Sequence, residues 1–349
     1  MANKIADTSV MDCEQTALSR SHVAQKHHYP SNNHHHHDSH LRIDSQTTSL
    51  VIEAAVSIVI NGIHYAVLMA SPYQLEYLAI GFLFSEGLIQ YSHELLDWEI
   101  THLTDADSYQ RFSQDSETRQ QPSFTQSLPQ FEDYDIYVVE LTLSQRCHQR
   151  IQAQRRELSG RTGCGMCGIT GLKQALPDLS DYAQAYLQER SKDHLQDLSQ
   201  GAYSQQIGMN NAKETVPRLN PPPSLDDLLR LRQQVDAAQH THQLTGAVHA
   251  AATIYNQQLY LFEDVGRHNA LDKLIGWQLR QKVDVDCVLM TSRLSIELVQ
   301  KSIRGQIPWL IGMSAPTSTA VRVAERYGLG LAGFLRDNRV TYYTNYPER

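Results

Sequence analysis

The sequence predicts an α/β fold, in which a mostly parallel, helix-covered sheet in the C-terminal region follows a smaller α+β N-terminal part. Two observations support this expectation. From residue 247 to residue 335, short apolar strands alternate with amphipathic helices, as in strand–helix–strand units joined by right-handed crossovers. Nearer the N-terminus, an apolar run is divided by Asn61-Gly62, a pair that favours the tight turn of a β-hairpin.

The N-terminal elements follow from turn and cap residues. Residues 51–60 and 63–70 form the two strands of the hairpin. Ser71 and Pro72 then suit an N-cap and a first helical residue, and Gln74 completes a capping box. We therefore expect a helix from there to near Gly87, and a further strand over residues 134–143.

The C-terminal elements follow from periodicity. Ser224 is placed to cap an amphipathic helix that carries Leu225, Leu228, Leu229 and Val235. The apolar patterns after it predict strands over 247–255, 259–263, 287–291, 307–313 and 331–335, and helices over 268–281, 295–304 and 317–327.

Composition divides the chain further. The first 48 residues are rich in serine, glutamine, asparagine and histidine, which is typical of a disordered leader, and we expect His34–His37 to lie in a solvated tail. Polar, glutamine-rich residues at 104–133 predict an insertion, and a second polar insertion, over 191–220, leads into Pro221–Pro223, which mark a linker or long loop. The expected units are a disordered leader (1–48), an N-terminal α+β part (49–157), a cysteine loop with a polar linker (158–223) and a C-terminal α/β domain (224–349).

Charge and hydropathy exclude several classes of protein. The net charge of −8 across 349 residues argues against broad nucleic-acid binding, which needs a basic surface. No apolar stretch approaches the roughly 20 residues that span a bilayer, and the N-terminus has no signal-type apolar region. We therefore expect a cytoplasmic protein that binds neither nucleic acid nor membranes.

The five cysteines indicate a reducing compartment, since an odd count leaves at least one thiol free and the chain is too long for a disulfide scaffold. In such a compartment a close cysteine pair is typically catalytic, redox-active or metal-binding. The three isolated cysteines are expected to be structural or incidental: Cys13, Cys147 and Cys287.

The close pair lies in Gly160–Gly168, a glycine-rich loop that contains Cys164 and Cys167. Dense glycine lets a partner approach the backbone, and Arg161 together with loop amides favours the nucleophilic thiolate. This spacing leaves three interpretations: persulfide carriage, disulfide exchange or half of a zinc site. Zinc lacks a second cysteine pair, and thioredoxin-type exchange lacks its strand-then-helix setting.

A histidine near residue 249 suggests a second type of chemistry. The segment Thr245–Ala251 resembles the His-x-Glu element of zinc nucleobase deaminases, but Ala251 stands where the proton-carrying glutamate would be. His249 is therefore either a residue that lines a site or a satisfied core histidine.

Polar residues follow several predicted strands, where ligands bind in open α/β sheets. Asp264, Arg267 and His268 follow one strand, while Ser292 and Thr317 follow the next two. Hydroxyl residues near helix N-termini favour anions, so a phosphate-bearing ligand is expected here. No Walker or Gly-x-Gly-x-x-Gly motif is present, which argues against a generic nucleotidase or dehydrogenase.

Taken together, these motifs resemble the formate dehydrogenase accessory sulfurtransferase family, FdhD. The resemblance covers most of residues 50–346 outside the insertions. It rests chiefly on the Gly-Cys-Gly-x-Cys-Gly loop and on Glu-Asp-Val-Gly-Arg-His-Asn at 263–269. The other segments that carry it are Ile80–Ile89, 245–252, 291–301 and 313–336.

The resemblance implies a cytoplasmic sulfurtransferase. It would accept persulfide sulfur from a cysteine desulfurase and deliver it to a molybdenum or tungsten bis-pyranopterin guanine dinucleotide, which is a bound substrate and not a resident metal. Formate dehydrogenase would be the client enzyme. The resemblance also implies a homodimer whose C-terminal domain has the three-layer, cytidine-deaminase-like fold.

The same resemblance assigns roles to individual residues. Cys164 matches the persulfide-bearing cysteine and Cys167 its companion. The cofactor-contacting stretch corresponds to Phe334, Leu335, Arg336, Asp337, Asn338 and Arg339, to which the residues at the strand ends add His249, Arg267, His268, Ser292 and Thr317.

Two other functions fit the sequence. A chaperone would shield the cofactor without moving sulfur, and would still support formate dehydrogenase after both cysteines are replaced. A zinc-dependent, deaminase-like hydrolase would contain stoichiometric zinc.

Overall fold

A computed structural model describes residues 18–28, 42–105, 108, 112, 134–158, 176–183 and 221–344. The chain begins with β1 (Ser19–His28) and β2 (Arg42–Val51), which pair as an antiparallel ribbon. The leader thus contains strands, whereas its composition predicts disorder. Composition reflects how much apolar surface a segment can bury, whereas the mostly exposed β1 pairs through its backbone in a continuous register, with Ser19 opposite Val51 and His28 opposite Arg42.

A four-stranded sheet follows the ribbon. Its hairpin is confirmed: β3 (Ala54–Ile60) and β4 (Ile63–Ala70) are joined by Asn61 and Gly62, both with positive φ, as a type I′ turn requires. The chain continues through α1 (Leu75–Ser85), β5 (Leu95–Leu103) and β6 (Asp135–Leu143). The strand order is β4-β3-β6-β5, with β3 and β6 parallel.

The predicted capping box at Ser71 is wrong. Helix α1 begins at Leu75, and Gln74 at the N-cap position has a φ of 54° and makes no side-chain cap. The Ser71 amide instead donates to Asp264 Oδ2 at 3.1 Å, and the Ser71 hydroxyl accepts from the Val265 amide at 3.2 Å. The Ser71 amide and hydroxyl therefore form tertiary hydrogen bonds, and the hydroxyl does not cap the helix as the local pattern predicts.

Among the described residues, three helices lie between the two sheets in sequence. They are α2 (Gln145–Leu158), α3 (Leu225–Ala238) and the short α4 (His240–Thr245). The predicted cap of α3 is confirmed, because the Ser224 hydroxyl accepts a hydrogen bond from the Asp227 amide.

The C-terminal elements form a six-stranded sheet in the order β12-β11-β10-β9-β7-β8. The prediction that this sheet is mostly parallel is wrong. Only β9, β10 and β11 pair in parallel, through helix connections, whereas hairpins make β7–β8 and β11–β12 antiparallel. The helix after β8 brings the chain back into β9 beside β7, and this pair is antiparallel as well. Its elements are β7 (His249–Tyr255), β8 (Gln258–Asp264), α5 (Arg267–Gln281), β9 (Val288–Met290), α6 (Ile296–Arg304), β10 (Trp309–Gly312), α7 (Ser318–Tyr327), β11 (Gly330–Arg336) and β12 (Arg339–Tyr342).

Both faces of the six-stranded sheet are covered. On β9, Leu289 packs with Leu228 and Val235 of α3, whereas Val288 and Met290 belong to a larger core on the opposite face. That larger core contains residues of α1, α5, α6 and α7 and also the inner face of the four-stranded sheet. The mixed α/β class is therefore confirmed. The division of the chain at residues 48, 157 and 223 stays a prediction.

Candidate functional site

The carboxyl ends of β9, β10 and β11 lie along one edge of the six-stranded sheet, the edge formed by strand ends and not by an outer strand. Because β7 is antiparallel to β9, its first residue, His249, lies at the same edge, directly opposite Asp264 at the end of β8. The polar segments that follow successive strands in the sequence therefore lie close together at this edge.

Backbone hydrogen bonds hold the loops after β9 and β10 side by side. The Leu294 amide donates to the Ala315 carbonyl at 3.1 Å, and the Thr317 amide donates to the Leu294 carbonyl at 3.0 Å. Helix α7 begins one residue later than predicted, at Ser318, and Thr317 is its N-cap, with a hydroxyl that accepts from the Ala320 amide. Ser292 lies before α6, whose N-cap position is Ser295, and its buried hydroxyl donates to the Arg293 carbonyl.

Asp264 is a structural residue at this edge. Its carboxylate contacts the Lys273 ammonium at 2.7 Å, and both side chains are fully buried. It also accepts hydrogen bonds from the amides of Ser71 and Gly266 and from the Asn269 side chain. With both oxygens occupied, Asp264 fixes the geometry of the edge and is not placed to react with a ligand.

Arg267 and His268 open helix α5 and are less completely paired. The buried His268 Nε2 and Arg267 Nε have no hydrogen-bond partner among the described residues. Burial, reinforced by Lys301 and Arg267, lowers the pKa of His268 to about 4. Burial also lowers the pKa of His249, with Arg267 and His242 as further causes. Both imidazoles are therefore neutral at pH 7, and Arg267 is the cation beside them.

The predicted cofactor stretch is the end of β11 and the turn into β12. Phe334 is exposed and has a φ of 52°, which marks a bulge, and its amide donates to the Ser314 carbonyl. Arg336 Nη1 donates to the Met313 carbonyl at 2.6 Å. Leu335 is fully buried in the core, so its side chain faces away from any ligand. Arg339 is exposed at the start of β12.

A cleft of about 410 Å³ lies beside this turn, between α3, α4 and the start of β7. Sequence reasoning identified His249 here but missed most of the lining, because α4 is too short for a periodic pattern. His242 donates from Nδ1 to the Val248 carbonyl at 3.0 Å. The lining residues are Asp236, Gln239, His242, Gln243, Gly246, Ala247, Val248, His249, Thr291 and Met313.

The cysteine loop Gly160–Gly168, with Cys164 and Cys167, lies outside the described residues, as do Cys13 and His34–His37. The chain on both sides of it is anchored. Cys147 and Ile151 of α2, and Leu179 beyond the loop, are buried in the same core as Leu88. Cys147 Sγ also contacts the Leu88 carbonyl at 3.2 Å.

The two cysteines in the described part of the chain are poor nucleophiles. Burial raises the pKa of Cys147, and burial with Asp286 and Asp227 nearby raises the pKa of Cys287 to about 12. A thiol with a raised pKa carries little thiolate at neutral pH.

The described residues contain no cluster of three or more histidine, cysteine or acidic side chains arranged to hold a metal ion. None of the helices described for this chain is long and apolar enough to cross a membrane.

Comparison with known proteins points to one family. The model of the FdhD/NarQ family matches residues 51–213 and 181–349. Among curated proteins, the sulfur carrier protein FdhD of Acinetobacter baylyi is 33% identical over 302 residues, covering 84% of this chain and 86% of its own. That of Chromobacterium violaceum is 34% identical over 298 residues, covering 84% and 87%.

A solved structure has a similar fold. A crystal structure from Desulfotalea psychrophila, assigned as a formate dehydrogenase accessory protein, superposes with a TM-score of 0.56 and covers 95% of this chain and 98% of its own. At 17% sequence identity this likeness shows the fold alone.

Proposed function

The chain belongs to the FdhD/NarQ family, and from that premise we propose that it is a sulfurtransferase that supports formate dehydrogenase. It takes persulfide sulfur from a cysteine desulfurase and delivers it to a molybdenum or tungsten bis-pyranopterin guanine dinucleotide. The proposal rests on one observation: the Gly-Cys-Gly-x-Cys-Gly loop lies inside the part of the chain that the family model matches.

The other cysteines support this assignment by contrast. Cys147 and Cys287 are held in the body of the protein with raised pKa values, which disfavours thiolate chemistry. Cys13 precedes the family match. Sulfur carriage is therefore assigned to Cys164, with Cys167 as its companion.

The loading step is an exchange without net redox change. The Cys164 thiolate attacks the outer sulfur of the donor persulfide, the donor sulfur–sulfur bond breaks, and the donor cysteine leaves as its thiolate. The spare sulfur is then carried as a Cys164 persulfide. If Cys167 attacks the inner sulfur to release sulfide, the two cysteines form a disulfide, and a cellular thiol reductant must restore them.

The anchors on either side of the loop suit a carrier. Ile151 before it and Leu179 after it are buried in one core, so the body holds both ends of the segment that carries the cysteines. On the returning chain, Asp178 accepts a hydrogen bond from the Tyr327 hydroxyl at 3.4 Å.

The cofactor would bind as substrate at the edge described above. Helices α6 and α7 direct their amino ends toward it, and helix N-termini favour phosphate. We assign the guanine dinucleotide phosphates to the neighbourhood of Ser292, Thr317 and Arg336. His249, Arg267 and His268, together with the rest of the stretch Phe334, Leu335, Asp337, Asn338 and Arg339, complete the proposed site, with Leu335 contributing through its backbone.

Three further parts of the proposal follow from family membership. The protein acts in the cytoplasm, functions as a homodimer, and its C-terminal domain has cytidine-deaminase-like layering. Helices on both faces of the six-stranded sheet support the layering.

The test is sulfur labelling. A cysteine desulfurase and ³⁵S-cysteine are incubated with the wild type, Cys164→Ala and the control Cys13→Ala. Label on the peptide that contains Cys164, absent only from Cys164→Ala, supports the proposal. Label on Cys147 or Cys287 instead would overturn it. Restored formate dehydrogenase activity by a Cys164→Ala/Cys167→Ala variant, in a strain lacking its own accessory protein, would favour the chaperone function.

A further inference from the structure

Arg232 of helix α3 lies between the cleft and the β11–β12 turn. Its Nη1 contacts the Asp337 carboxylate at 3.0 Å and the Leu335 carbonyl at 3.4 Å. Its Nε lies 3.4 Å from Asp236, one turn further along the same helix and part of the cleft wall. One guanidinium therefore contacts both the cleft wall and the turn.

The turn is attached to the cleft from its other side as well. Arg336 donates to the carbonyl of Met313, and Met313 lines the cleft. Each arginine therefore joins the turn to a residue of the cleft wall, Arg232 through Asp236 and Arg336 through Met313.

The exposure of its partner shows that Arg232 contributes little to the stability of the fold through this ion pair. The Arg232 side chain is 18% exposed, but that of Asp337 is 95% exposed. An ion pair with so exposed a partner is screened by solvent and adds little to the stability of the fold. The contacts of Arg232 do restrict the conformations of the short Asp337–Asn338 turn. A turn that is already ordered before the ligand binds gives higher affinity, because less conformational entropy is lost on binding.

We propose that Arg232 is a positioning residue, which holds the Asp337–Asn338 turn beside the cleft so that the cleft and Phe334–Arg339 act as one site for the nucleotide part of the ligand. This inference rests on the proposed function for the identity of that ligand. Arg232 acts through Asp337 and the Leu335 carbonyl, and is not itself a catalytic residue.

The test compares Arg232→Met, Asp337→Asn and the double variant with the wild type, using GDP as the probe in calorimetric titrations. Arg232→Met is expected to weaken GDP binding about fivefold. Because both changes break one contact, the double variant should bind no more weakly than the worse single variant. Arg230→Met is the matched control, since Arg230 is exposed two residues earlier on the same helix.

Hydrogen exchange supplies a readout independent of the ligand. Amides of residues 336–340 should exchange faster in Arg232→Met than in the wild type, with unchanged exchange in α3, and Arg232→Lys should restore part of the protection. Unchanged exchange and unchanged GDP affinity in Arg232→Met, with a wild type that binds GDP, would overturn the inference alone. A folded wild type that does not bind GDP would instead count against the proposed ligand, while faster turn exchange in Arg232→Met would still support the positioning role.

Discussion

Gly81 and Gly276 lie at the point where α1 crosses α5, each against the backbone of the other helix. A Cβ added to Gly81 would overlap the Asp272 carbonyl, and one added to Gly276 would overlap the Tyr77 carbonyl. Neither obstacle is a flexible side chain. The two helices therefore approach as closely as they do because both residues lack a side chain.

This contact predicts that Gly276→Ala lowers the free energy of unfolding by about 2–4 kcal/mol, because the helices must separate within a packed core. Urea unfolding followed by circular dichroism measures the change. Gly62→Ala is the control, since its φ is +76° but nothing lies within 4 Å of the added Cβ. That control should cost about 1 kcal/mol. Equal losses for both variants would contradict the close approach.

The buried pair of Lys273 and Asp264 predicts a large effect of Lys273→Met. Both side chains are 0% exposed, and removal of the ammonium leaves an unpaired carboxylate in the core. The expected loss of unfolding free energy is about 3–5 kcal/mol. Arg20→Met removes a pair of the same 2.7 Å length, but Arg20 is 64% exposed. Its loss should stay below about 1 kcal/mol, and a similar loss for both variants would refute the distinction.

His268 predicts a specific pH dependence. Its pKa falls from 6.5 to about 4 on folding, so between these values the unfolded chain binds more protons than the folded one. Stability from this residue is present above pH 6.5 and is lost as the pH falls toward 4, by up to about 3 kcal/mol. Unfolding titrations should show that, between pH 6.5 and pH 4, the free energy of unfolding of the wild type falls more than that of His268→Gln. Parallel curves would show that His268 is not held neutral.

Alkylation should distinguish the cysteines. In native protein at pH 8, iodoacetamide is expected to leave Cys147 and Cys287 unmodified, because their raised pKa values and burial suppress the thiolate. Cys164 and Cys167 should react. Peptide mass spectrometry reads out each site, and urea-unfolded protein, in which every thiol reacts, is the control. Rapid native modification of Cys287 would contradict its environment.

Local sequence signals predicted most of the regular structure. Asn61-Gly62 and Ser224 act through contacts within a few residues, and the turn and the cap that they predict are both present. Ser71 carries an equally clear local signal, but its amide is bound by Asp264, 193 positions away, and no local pattern contains that information. The prediction of a mostly parallel sheet failed for a related reason, since the pattern of a strand does not state which neighbour it pairs with or in which direction.

The candidate site was predicted in part. Residues after strands could be assigned to a common edge because topology brings strand ends together, and Thr317 and His249 lie there. The cleft was missed because its wall combines α3, α4 and β7, and Arg232 was missed because its partners lie on β11 and the following turn. The roles of Cys164 and Cys167 stay predictions.

The glycine contact between α1 and α5 also limits how this protein can be divided or recombined. By sequence α1 belongs to the N-terminal part, yet its buried residues run from Leu75 to Ser85 and pack into the helix layer of the C-terminal sheet. A fragment that starts after residue 223 would lack α1 and leave the face of α5 around Gly276 without its partner helix. Exchange of the N-terminal half between related chains is expected to succeed only where both crossing helices keep a residue without a bulky side chain at the positions of Gly81 and Gly276.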